Sequence, residues 1–196
     1  MQPNGLGVGS DRAQRFPVHA LTKSDLVLRN LERLREINRV YAAVSFTITT
    51  ADDDLGKRLE PGALIVSPRF AAMSRLAEAG ILTGVLLMPV LPFIEDNAEN
   101  IAAIVTRAHD CGASYILASF GMPLRDRQRA YYYAQLDRLF PGLRNQYEQR
   151  FGDRYSAPAN EAHRLEQIFR EQCERYGIAT RMRLYEAPAP LQPALL

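Results

Sequence analysis

The sequence predicts an α/β fold built on a parallel sheet, a partial (β/α) barrel of the incomplete TIM type with extra helices at its C-terminal end. Three observations carry this reading. Apolar runs alternate with helical stripes at intervals of about 30 residues, the length of a βαβ unit. The runs Phe16–Thr22, Tyr41–Thr49, Ile81–Pro92 and Ala113–Phe120 are close to continuously apolar, which suits parallel strands covered on both faces. Glycines then punctuate the helical stripes, as expected where a helix stops and the chain turns back to the sheet.

Each element follows in order. Residues 1–15 hold three glycines and few apolar anchors, and read as a loose leader. Phe16–Thr22 is the first strand and runs into Ser24-Asp25, a cap followed by an acid in the first turn. Leu28, Leu31, Leu34 and Ile37 continue as the stripe of an amphipathic helix. Tyr41–Thr49 is the second strand. Asp52, Asp53 and Asp54 open a polar segment that reads as solvated surface, and Glu60-Pro61-Gly62 is a turn. Ser67-Pro68 reads as cap and first helical residue, followed by the stripe Phe70, Met73, Leu76 and Ala77 and a stop at Gly80.

Ile81–Pro92 is the third strand, ended by prolines. Asp96-Asn97 starts a helix carrying Ile101, Ile104, Val105 and Ala108, stopped by Gly112, and Ala113–Phe120 is the fourth strand. Gly121-Met122-Pro123 breaks it. Two long polar helices over 125–151 and 159–176 are expected next, then a strand over Thr180–Tyr185 and a tail over 186–196. Residues 16–185 thus form one domain. Four strands are too few to close a barrel, so the reading expects further strands ahead of Phe16.

Composition narrows the function classes. No run approaches the roughly 18–20 apolar residues of a membrane span, and the first residues lack the apolar segment of a secretory signal. Two cysteines, Cys111 and Cys173, are too few for a disulfide framework, so a reduced, cytoplasmic protein is expected. Positive charge is almost all arginine; Lys23 and Lys57 are the two lysines. His19, His109 and His163 have no partners at ligand spacing, and three adjacent acids cannot all face one ion, so no metal ligand and no catalytic residue is assigned. No glycine-rich phosphate loop or nucleophile elbow is present.

Ligands of parallel α/β sheets gather at the carboxyl ends of the strands. The candidates there are Lys23 and Ser24 after the first strand, Ser45 and Thr47 on the second, and Pro89 on the third. Lys23 lies beside a helix N-terminus, a combination suited to a carboxylate or phosphate, although a solvated lysine next to a cap explains it equally. Ser45 and Thr47 alternate with Val44, Phe46 and Ile48, so their hydroxyls share one side of the sheet. Residues 125–155 interleave arginine with tyrosine. That is one route to nucleic-acid binding, but the acids Asp126, Asp137, Glu148 and Asp153 dilute it, and an amphipathic helix is the plainer reading.

PVHALTKSDLVLRNLERLRE, VSFTITT, LEPG, RLAEAGI and MPVLPFIED, in this order and spacing, resemble the radical S-adenosylmethionine (radical SAM) proteins of the spore-photoproduct-lyase-like group, often labelled DNA repair photolyases. The likeness covers roughly residues 15–185 and is most specific over 17–96. It implies a partial (β/α)6 barrel and a 4Fe–4S cluster on a CxxxCxxC loop after the first strand, which reductively cleaves S-adenosylmethionine. It also implies that Lys23 approaches the S-adenosylmethionine carboxylate, that Ser45 contacts its methionine or ribose part, and that Met88–Pro92 pass near the adenine. The chain departs from the family in lacking CxxxCxxC. The expectation is therefore the C-terminal part of such a protein, inactive alone. The alternatives are half of a split enzyme completed by a cluster-bearing N-terminal chain, or a non-catalytic nucleic-acid or protein interaction module.

Overall fold

A computed structural model describes residues 16–187. Its centre is a four-stranded, all-parallel sheet in the order β1 (Val18–Thr22), β2 (Ala42–Thr47), β3 (Leu82–Leu87), β4 (Tyr115–Ala118), so sequence order and spatial order coincide. A 3-10 helix (Asp25–Asn30) and α1 (Leu31–Ile37) connect β1 to β2. Two helices, α2 (Asp53–Leu59) and α3 (Val66–Glu78), connect β2 to β3, and α4 (Ala98–Asp110) connects β3 to β4. The α/β class with a parallel sheet is as the sequence predicts.

The period of two assigns the faces. Ala42, Val44, Phe46, Ile48, Val85, Leu87 and Ile116 pack with Phe70, Met73, Leu76, Ile101, Ile104 and Val105 of α3 and α4 in one buried core. The opposite face carries His19 and Leu21 of β1, Ala43, Ser45 and Thr47 of β2, Gly84 and Leu86 of β3, and Tyr115 and Leu117 of β4. Leu21 is 63% exposed there, because no helix of the described residues covers that side of β1.

Several local expectations need correction. Asp52 and Asp54 are exposed, as expected, but the polar segment conceals a helix: the Asp52 carboxylate accepts from the backbone N–H groups of Asp54 and Leu55 and caps α2. Ser67-Pro68 is not the start of α3. The helix begins at Val66 after an uncapped Ile65, and the Ser67 N–H donates to Asp53 while its hydroxyl accepts from Arg107. Gly121–Pro123 does not merely end a strand. It forms β5, antiparallel to β6 (Ser156–Pro158). The long helix expected over 125–151 is two, α5 (Asp126–Leu139) and α6 (Leu143–Phe151), split where Pro141 cannot donate and Gly142 adopts a left-handed φ of 87°. The second expected helix is α7 (Ala162–Tyr176), which ends on left-handed Gly177.

Thr180–Tyr185 forms no strand. The sheet gains only one bridge there, Tyr115 to Ala179, after which the arginines of Arg181-Met182-Arg183 face solvent and the segment runs on as coil. The leader 1–15 and most of the tail 186–196 lie outside the described residues.

Candidate functional site

The carboxyl ends of β1, β2 and β3 hold a connected polar cluster. Lys23 follows β1, but it is not a free cation beside a helix N-terminus: its ammonium donates to Glu60. The other Glu60 oxygen accepts from the Arg69 guanidinium at 2.6 Å. Arg69 is 2% exposed and also donates to the carbonyls of Leu64 (2.7 Å) and Thr47 (2.8 Å), so it ties the end of β2 to the α2–α3 turn. Burial alone would raise the Glu60 carboxyl, but the Lys23 and Arg69 hydrogen bonds and charges outweigh it and hold Glu60 below the usual range. The sequence reading gave Glu60 only as part of a turn. Its real position follows from Arg69, which falls within the buried stripe Val66, Arg69, Phe70, Met73, and an arginine in such a stripe demands a carboxylate or carbonyl partner.

Beside this cluster sits Glu95, 1% exposed. The Thr49 hydroxyl donates to one of its oxygens at 2.6 Å and the Leu91 N–H to the other at 3.0 Å. Asn100 completes the knot by donating to the carbonyls of Thr49 and Glu95 and accepting from the Ala51 N–H. Among the described residues no cation touches Glu95. Burial, with a smaller contribution from the Glu60 charge, therefore pushes it up to about 7, against the opposing hydrogen bonds from Thr49 and Leu91. A carboxyl that titrates near neutrality at the ligand end of a parallel sheet is a group the sequence reading missed.

Ser24 performs only its cap, accepting from the Leu26 N–H at 3.2 Å, and the six-residue 3-10 helix behind it is too short to gather an anion site. Ser45 and Thr47 share the open face, as the alternation requires, yet they differ. Thr47 is half-buried, and its carbonyl takes the Arg69 bond. Ser45 is fully buried, with its Oγ 2.8 Å from His19 Nε2 and 2.7 Å from the Tyr115 hydroxyl. Tyr115 reaches across the intervening strand because residue 84 of β3 is glycine; a Cβ there would meet the Tyr115 ring at 2.3 Å. Pro89 is exposed just beyond β3 and follows a cis peptide bond.

The arginine–tyrosine segment is chiefly packing. Tyr132, Tyr133, Tyr147, Phe93 and Phe151 form one aromatic cluster between α5 and α6, and the Tyr147 hydroxyl donates to the Pro92 carbonyl. Arg129 and Arg144 are spent on Asp153, Asp137 and Glu148. Tyr131 and Tyr155 are the exposed tyrosines of the segment, with Arg125 5.8 Å from the Tyr155 ring centre.

The described residues contain no group of three or more His, Cys, Asp or Glu able to hold a metal ion. Cys111 ends α4 and Cys173 lies buried on α7, both free thiols pushed up by burial rather than toward thiolate. These two side chains do not fit the ligand set of a 4Fe–4S cluster. No described helix is long and apolar enough to cross a membrane.

No protein-family model matches the chain, and no solved structure matches it. It is similar to an uncharacterized protein of Mycobacterium tuberculosis, 27% identical over 143 residues that cover 72% of this chain and 42% of the relative. A Mycobacterium bovis protein, also uncharacterized, matches to the same extent. An uncharacterized protein of Methanocaldococcus jannaschii is 31% identical over 83 residues, 42% of this chain and 31% of the relative. The chain thus spans less than half the length of the relatives it matches.

Proposed function

We propose that this chain is the C-terminal part of a radical SAM protein of the spore-photoproduct-lyase-like group, holding part of an S-adenosylmethionine site and inactive alone. The observation that carries the reading is Lys23, held at the carboxyl end of β1 in a cluster of two cations and one carboxylate. Lys23 and Arg69 against Glu60 leave a surplus positive charge, and the part of it that meets solvent is on Lys23, whose side chain is 45% exposed. That suits the carboxylate of S-adenosylmethionine. Thr47 and Pro89, at the neighbouring strand ends, are the further groups that would line the molecule.

The same reading takes the four parallel strands as part of a (β/α) barrel whose front comes from elsewhere, in keeping with relatives more than twice as long as their matched segment. The 4Fe–4S cluster would supply the reductive cleavage. Its ligands would come from a cluster-bearing chain or segment. Free cysteines suit a reducing, cytoplasmic setting.

Calorimetric titration of S-adenosylmethionine into the chain tests the reading. Binding that Lys23→Ala weakens is expected. No binding, or binding indifferent to Lys23, sinks it. A second reading, a nucleic-acid-binding module, is favoured by one observation: exposed Tyr155 stands beside Arg125 at the start of α5, and Tyr131 is exposed further along that helix. Salt-sensitive binding of single-stranded DNA, lost in Tyr131→Ala with Tyr155→Ala, would support that instead.

A further inference from the structure

The Ser45 hydroxyl is sealed at 0% exposure between His19 and Tyr115, so it has no free side to offer a ligand. His19, by contrast, lies on the edge strand with its ring exposed, and its Nδ1 has no partner among the described residues. The direction of the hydrogen bonds between them is fixed by what burial permits. Tyr115 is 1% exposed, and among the described residues the one acceptor its hydroxyl meets is Ser45 Oγ. If the phenol did not donate to Ser45, its proton would be buried without an acceptor, which is strongly disfavoured. Ser45 Oγ, accepting from Tyr115, then directs its own proton to His19 Nε2. That nitrogen must be the unprotonated one, so the ring proton of the neutral imidazole sits on Nδ1.

We infer that His19, not Ser45, is the ligand-contacting residue of the open sheet face, presenting an Nδ1–H donor whose direction and tautomer are set by Tyr115 and Ser45 as positioning residues. Leu21 follows His19 on the same face, 63% exposed, and Lys23 follows at the strand end. Alternate residues of a strand are about 7 Å apart, so His19 and Lys23 stand about 13 Å apart. The ligand this line fits is an elongated small molecule with an anionic group at Lys23, an apolar middle over Leu21 and a hydrogen-bond acceptor at His19. Identifying that molecule as S-adenosylmethionine rests on the proposed function; the donor assignment does not. Burial also opposes charging of His19, in keeping with a neutral ring.

Imidazole nitrogen NMR of 15N-labelled protein at about pH 8 tests the assignment, since the two nitrogens of a neutral ring give distinct shifts. The chain has three histidines, and the His19 signals are those absent from His19→Ala. The expected spectrum shows His19 protonated at Nδ1, against the usual preference of free histidine for Nε2–H. Ser45→Ala, which removes the acceptor-side clamp, should return it to Nε2–H, and Tyr115→Phe, which frees the Ser45 proton, should give a mixture. An Nε2–H signal for His19 in the unmodified chain, or a tautomer unchanged in both variants, overturns the assignment. In the ligand arm, S-adenosylmethionine should shift the His19 signals, and His19→Ala should weaken binding about threefold to tenfold, the worth of one hydrogen bond. An Nδ1–H tautomer without any binding would sink the S-adenosylmethionine reading and leave the donor standing. Binding that leaves His19 unmoved would overturn His19 as a contact.

Discussion

Replacing Gly84 by alanine should be far more disruptive than one methyl group suggests. Gly84 lies mid-strand on β3, between Ser45 of β2 and Tyr115 of β4 in the register. An alanine Cβ would stand 2.3 Å from Tyr115 Cε2 and 2.5 Å from Cδ2 and Cζ. Carbon atoms rest at about 3.5–4.0 Å, so the ring must withdraw by more than about 1 Å. That movement breaks the 2.7 Å bond to Ser45. Overpacking of this kind costs about 1–3 kcal/mol, and the lost buried hydrogen bond about 1 kcal/mol more. Relief of the glycine entropy returns about 0.5–1 kcal/mol. The net destabilisation is about 1–3.5 kcal/mol, which for a chain of this size lowers Tm by roughly 2–14 °C. Calorimetric or circular-dichroism melting reads it directly. A double-mutant cycle with Tyr115→Ala separates the clash from any general intolerance of β3, because the second substitution removes the ring that collides. The pair should be less damaging than the sum of the singles by about 1–3 kcal/mol. A Gly84→Ala protein melting with the unmodified chain, or an additive cycle, would refute the account of Tyr115 lying over Gly84.

Glu95→Gln should change the pH dependence of stability. The folded carboxyl titrates at about 7 and the unfolded one at about 4.5, so the folded state binds the proton more tightly. The resulting stabilisation is complete below about pH 4.5 and is lost as pH rises toward 7, a difference of about 3 kcal/mol for a group this buried. Urea unfolding of Glu95→Gln should therefore match the unmodified chain in acid and exceed it near pH 8 by up to about 3 kcal/mol; parallel pH profiles would count against it. Arg69→Met takes the guanidinium from the Thr47 and Leu64 carbonyls and leaves Glu60 with Lys23 alone, and should cost about 3 kcal/mol in the same assay, not rescued by Arg69→Lys. A loss under about 1 kcal/mol would mean that Arg69 does not hold the turn. Lys23→Ala, which removes a half-exposed partner, should cost less than about 1 kcal/mol of stability, so its effect on ligand binding can be read cleanly.

What the sequence made legible is what depends on local periodicity. The parallel strands, the stripe Phe70, Met73 and Leu76, the stops at left-handed Gly80 and Gly112, and the shared side of Ser45 and Thr47 all follow from spacings within one element. What it concealed is pairing across long separations. Thr49 meets Glu95 across 46 residues, His19 meets Ser45 across 26 and Ser45 meets Tyr115 across 70. No local pattern marks these, because each residue alone has an ordinary alternative: a strand threonine, a polar edge histidine, an aromatic in a core strand. Arg69 is the exception, since a charge inside an apolar stripe already signals a buried partner. The strand expected at Thr180–Tyr185 failed for the converse reason. Its alternation is strand-like, but Leu184 stays 68% exposed, and propensity without burial does not hold a strand.

The cluster at the strand ends constrains how any anion can bind there. Lys23 is shared with Glu60 before a ligand arrives, so an arriving carboxylate must either take a second ammonium proton or displace Glu60 toward Arg69. The second path is open because the other Glu60 oxygen is already held by a guanidinium that cannot move: Arg69 is 2% exposed and pinned to two carbonyls. Glu60 therefore keeps a compensating cation when Lys23 turns away, and the exchange leaves no buried charge unpaired. Glu95 adds a dependence on pH. Its ionisation places a second negative charge near Lys23 and Glu60, and near neutrality that charge is half present. Anion binding at Lys23 should favour protonated Glu95 by linkage and so weaken as pH rises through 7, a dependence that a solvated lysine standing alone would not have.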